Sequence, residues 1–103
     1  MKTREDLVSL GIEGFKADEI MKLQERMLEQ AGKFQYRKKD ESVRDAEGTL
    51  VRGDMVQEDG TVWEPKGPQK EEDSKSVFFK YFDLGAKAWR QFNMFSFIGL
   101  VEG

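Results

Sequence analysis

Histidine and cysteine are both absent from this 103-residue chain. Without imidazole the commonest general base and the commonest metal ligand are missing. Without thiol there is no disulfide, thiolate nucleophile or thiolate zinc site. Chemistry falls to carboxylates, lysines, tyrosines and hydroxyls, and no spacing supports a pair of carboxylates sharing a pocket. Asp54, Glu58 and Asp59 lack the regular odd-position spacing and the closing Glu of a calcium loop. No GxxxxGK(S/T) or GxGxxG phosphate loop occurs. Arg52-Gly53-Asp54 is the integrin-binding tripeptide, but with no secretion or disulfide signal it reads as coincidence. The expectation is a non-enzymatic binding module without cofactor, metal or catalytic residue.

Two groups of side chains are suited to binding. Lys33, Arg37, Lys38, Lys39 and Arg44 form the basic cluster; spread over one expected hairpin, they should lie close in space. Either Asp40, Glu41 and Asp45 balance them on a solvated hairpin, or they contact phosphate. The second group is Trp89-Arg90-x-Phe92. On a strand, Trp89 and Gln91 face one way while Arg90 and Phe92 face the other. One reading puts Phe92 in the core, Trp89 over a helix-facing side and Arg90 on a carboxylate such as Asp83. The other is an aromatic-plus-arginine surface that stacks a base or grips a peptide. With Trp63, the candidate binding surface is Arg37, Lys38, Lys39, Arg44, Trp63, Trp89 and Arg90.

Positioning these residues falls first to 77–94, two aromatic strands folded back on each other with a turn at Gly85-Ala86-Lys87. The first strand is apolar on both faces, Val77, Phe79 and Tyr81 against Phe78, Phe82 and Leu84, so it needs covering twice. Upstream, Thr3 and Asp6 resemble a capping box opening a helix over 4–10. A second helix is expected over 17–31, with Gly32 as its terminator. Its Ile20, Leu23, Met27 and Ala31 share one face. That stripe either docks in a partner or packs on the barrel, and the Phe78/Phe82 face is the place it should cover.

Phe34 and Tyr36 alternate with polar residues in a strand over 33–38, and a second strand runs over 43–51. In it Arg44, Ala46, Gly48 and Leu50 share a face, and Gly48 suggests a bulge or a bend. Asp59-Gly60 signals a small extra hairpin between 55–57 and 61–63, which the sequence leaves undecided. The rest of 52–75, above all 64–75, reads as a mobile loop. Residues 97–101 form a short last strand.

Length predicts one domain over 1–103, with a helical segment to 32 and a barrel over 33–101. The net charge of −3 is uneven: −2 over 1–32, +1 over 33–50, −3 over 51–75 and +1 over 76–103. That is too diffuse for a nucleic-acid footprint. No run of about 18 apolar residues suggests a membrane span. The start of the sequence lacks a signal peptide's apolar stretch, so a cytoplasmic location is expected.

Five short strands, a long connection between the second and third and a tight turn before the last describe an SH3-like barrel. The residues also resemble a group of small bacterial and phage-borne SH3 β-barrel proteins of uncharacterised function. The matching pieces are Lys38-Lys39-Asp40-x-Ser42, Arg44-x-Ala46-x-Gly48-Thr49-Leu50, Tyr81-Phe82-Asp83-Leu84 and Trp89-Arg90-x-Phe92 with Ile98 behind it. They span 34–101. Glu41 departs from the pattern, which has Gly there, and residues 1–32 are longer than it requires. The resemblance implies the barrel fold and a phage or mobile-element context, and carries no implication of activity. With the helical periodicity before Gly32, the expected fold class is α+β, an N-terminal helical segment packed on a small five-stranded SH3-like barrel. The expected partner is a protein. The alternative is a nucleic-acid-associated regulator that binds through the first hairpin and Arg90; no membrane partner is expected.

Overall fold

Thr3 Oγ1 accepts from the Asp6 N–H at 3.2 Å and Asp6 Oδ2 accepts from the Thr3 N–H at 2.9 Å. This reciprocal cap opens α1, Arg4–Ser9. The computed structural model describes residues 2–67 and 75–101. Helix α2 is Gly14–Glu29, and five strands follow: β1 Gly32–Arg37, β2 Val43–Thr49, β3 Phe78–Asp83, β4 Ala88–Asn93 and β5 Phe97–Leu100. Single 3₁₀ turns occupy Arg52–Asp54 and Met94–Ser96. The α+β expectation therefore holds.

Helix α2 begins three residues before the expected start and ends before Gly32, which is not its terminator. Gln30 is already extended, and Gly32 is the first residue of β1. A Cβ on Gly32 would lie 3.1 Å from both Leu23 Cδ1 and Met27 Cγ. The glycine is thus needed for close helix–strand approach, not for helix stopping. One carbonyl at the open end of α2 is met from just beyond β2: the Leu50 N–H donates to the Met27 carbonyl at 2.8 Å.

The strands form one antiparallel sheet in the order β4-β3-β2-β1-β5. The edge strands β4 and β5 are joined directly through the Met94–Ser96 turn, which wraps the sheet into a barrel. Pairing between β2 and β3 is confined to Gly48↔Asp83 and Thr49↔Phe82, a large stagger. Gly48 is not a bulge: a Cβ there would lie 2.4 Å from Tyr81 Cδ2, so the Tyr81 ring occupies the space of its missing side chain. The register irregularity lies in β1, between Gln35 and Tyr36 opposite β5.

Ile20, Leu23 and Met27 are buried in one cluster with Phe34, Tyr36, Phe79, Tyr81, Phe92 and Phe97. Each of these three helix residues contributes roughly 1.5–3 kcal/mol by leaving water. Phe92 is central, its ring 5.1–5.3 Å from those of Tyr36, Phe79 and Phe34. So α2 packs on β5, β1 and β2, and its apolar stripe joins the interior cluster of the barrel. It is not the cover of the Phe82 face. That role belongs to 55–63, which folds as the extra hairpin: Val56 bridges Val62, and the Gln57 N–H donates to the Thr61 carbonyl at 2.8 Å. Part of the expected mobile loop, 68–74, lies outside the described residues. No described helix is long and apolar enough to cross a membrane.

Candidate functional site

Two separate surfaces emerge from the residues singled out by type. The first is the outer face of the β3–β4 ribbon. Asp59 Oδ1 accepts from the Thr61 N–H and hydroxyl, and Gly60 takes a positive φ of 85°. The resulting tight turn brings Trp63 back over Met55, whose carbonyl accepts from the Trp63 N–H at 2.8 Å. The Trp63 ring then meets that of Trp89 edge-on, with centroids 5.1 Å apart. Trp89 in turn stands perpendicular to the Phe82 ring at 6.1 Å. Phe82 and Met55 are buried outside the main cluster. Trp63 is half-buried, while Trp89 keeps 37% of its surface in water.

The second surface is the barrel mouth, on the inner face at the end that carries the β1–β2 and β3–β4 turns. Asp83 is only 2% exposed. Its Oδ1 accepts from the N–H groups of Gly85 and Ala86 at 2.9 Å each. Its Oδ2 accepts from Arg44 at 3.0 Å and from the Tyr81 hydroxyl at 3.4 Å. Arg90 Nε stands 3.8 Å from the same Oδ2, an ion pair beyond hydrogen-bond reach. The Tyr36 hydroxyl meets that of Tyr81 at 3.3 Å and lines the wall.

Electrostatics follow from this packing. Burial pushes the Asp83 carboxyl up, but the Ala86 N–H, Arg44 and the Gly85 N–H outweigh it and hold it below its ordinary value. The hydrogen bond to Asp83 raises Arg44, against the opposing effect of burial. Burial pushes the Tyr81 phenol upward, helped by Tyr36, so it stays protonated.

The basic residues of the first hairpin do not act together. Arg44 turns inward to Asp83, whereas Arg37 is exposed and donates to the Glu41 carbonyl at 2.9 Å. Lys38 and Lys39 are exposed at the turn. Lys33 sits at the far end of β1, opposite Glu47, so the expected closeness of all five cations does not hold. Trp89 and Arg90 lie on opposite faces of β4. Arg90 does pair with Asp83, and Phe92 is core, as one reading of that motif had it. Sequence reasoning missed Tyr36, Tyr81 and Asp83 as a joint network; the available signal was Arg44 on the inward face of β2 beside Ala46 and Gly48. Among the described residues, no group of three or more His, Cys, Asp or Glu side chains is placed to hold a metal ion.

A five-stranded barrel with a helix packed on it, an aromatic outer face and a charged mouth places the protein in the class of SH3-like barrels. The sequence model of the family described as WYL_2, Sm-like SH3 β-barrel fold, matches residues 20–98. The chain belongs to that family. No curated protein matches it, and no solved structure does either.

Proposed function

We propose that the chain is a non-enzymatic protein-interaction module. It serves a cytoplasmic, phage- or mobile-element-derived system as an adaptor. The observation that carries this reading is the Trp63–Trp89 pair, held edge-on at 5.1 Å over Phe82 and left partly in water. Rigid, half-exposed indoles are characteristic anchors of protein interfaces, because they supply large contact area at little cost in side-chain entropy. The cations of the first hairpin argue the same way by their dispersal. Arg37 serves a turn carbonyl, Arg44 serves Asp83 and Lys33 stands at the far end of β1, so these described residues form no continuous basic track for a phosphate backbone.

Affinity capture from host lysate, with and without nuclease, tests the proposal, and W89L serves as the comparison. A protein retained after nuclease treatment, released only weakly by salt and lost in a folded W89L supports it. Capture abolished by nuclease, or affinity falling steeply with log salt concentration, overturns it in favour of nucleic-acid binding through the first hairpin.

A further inference from the structure

We infer that Arg44 and Arg90 at the barrel mouth receive the side-chain carboxylate of an Asp or Glu residue of the protein partner. This rests on the protein-binding reading and names the chemistry of a second contact, on a different face from the tryptophans.

Asp83 has a limited acceptor capacity, since an ionised carboxylate offers about four lone-pair sites. All four are taken: Oδ1 by the N–H groups of Gly85 and Ala86, Oδ2 by Arg44 and Tyr81. Arg90 therefore has nothing left to bond, which accounts for its 3.8 Å distance from Oδ2. Among the described residues its guanidinium donors have no hydrogen-bond acceptor, and its side chain is 46% exposed. Arg44 is also under-used. One terminal nitrogen is spent on Asp83. The side chain keeps 26% exposure, so the other terminal nitrogen is the donor left for a guest. Nε is buried without an acceptor and out of a guest's reach.

Charge selects the class of guest. Two guanidiniums against one carboxylate leave a single positive charge, which a monoanion neutralises. A phosphate dianion would bring excess negative charge beside Asp83. The planar guanidinium fork fits a carboxylate with two parallel hydrogen bonds. A phosphodiester is also a monoanion, but it arrives with further phosphates along a strand. The nearest other arginine of the first hairpin, Arg37, is already engaged with the Glu41 carbonyl.

The test is a titration of the full-length protein, followed through the Nε–Hε NMR signals of its arginines at constant ionic strength. The probes are propionate, as a mimic of the Glu carboxylate, dimethyl phosphate, as a phosphodiester mimic, and inorganic phosphate. Propionate is expected to shift the Arg90 and Arg44 signals saturably, at a concentration about tenfold lower than dimethyl phosphate needs. R90Q should weaken the Arg44 response about tenfold or more, whereas R37Q should leave it unchanged. Backbone amide spectra establish that both variants stay folded; if R90Q does not, the wild-type probe comparison alone decides. No saturable shift with propionate sinks the carboxylate site, while partner capture through Trp89 would still stand. Saturation by dimethyl phosphate at the lower concentration sinks this inference in favour of a phosphodiester at the mouth, whereas the protein-partner reading falls only with the nuclease and W89L capture results.

Discussion

Glu41 carries a φ of +69°, the left-handed conformation that glycine adopts without strain. The departure from the family pattern at this position thus changes the residue and keeps a glycine-type turn. A non-glycine residue in that region costs roughly 1–2 kcal/mol, partly offset by the greater unfolded-state freedom of glycine. E41G is therefore expected to stabilise the fold by about 0.5–1 kcal/mol in denaturant unfolding, and a loss of stability would contradict the strain argument. Asp83 makes a pH prediction. Its folded-state carboxyl is held below its unfolded value of about 3.9. Stability from this group is present above that value and is lost as pH falls through the lower folded one. D83N should remove this acid dependence, so its melting temperature should fall less than wild type's below about pH 4. At neutral pH it should cost about 1–3 kcal/mol by stranding Arg44. Residue types alone pointed to Arg44, Arg90 and Trp89 as places of interest. Alternation along β4 already set Trp89 and Arg90 on opposite faces. What stayed illegible was the place of Arg44 beside Asp83, because the stagger between β2 and β3 that brings them together is long-range.

At the scale of elements, the helices, the five strands and the β3–β4 turn were readable from periodicity, capping and the Gly85-Ala86-Lys87 turn residues. What periodicity did not assign was which cover goes on which face. Both α2 and the 55–63 hairpin offered apolar residues, and β3 presented two apolar faces; only the closed topology decides between them. Because the apolar stripe of α2 shares one core with the sheet, Leu23→Ala should cost about 2–5 kcal/mol and Phe92→Ala about 3–5 kcal/mol in equilibrium unfolding. The two losses should be non-additive in the double variant, since both residues belong to one cluster. Additive losses would mean that helix and sheet form separate cores.

For the whole molecule, the consequence of the indole pair is optical. The protein has two tryptophans, and both sit in the same edge-on contact 5.1 Å apart. The main cluster is built from Phe and Tyr rings instead. Red-edge emission therefore reports on a single seam, where the 55–63 hairpin meets β4, and is blind to the helix packed on β5, β1 and β2. At this spacing the two indole transitions couple and give a split circular-dichroism band that neither ring gives alone. Helix ellipticity reports on the other side of the molecule. A thermal scan read through both signals separates detachment of the hairpin from collapse of the barrel without any label. The hairpin has Val56 and Val62 exposed and one bridge between its arms, so the split band should fade first. Coincident transitions would instead make the hairpin part of one cooperative unit with the barrel.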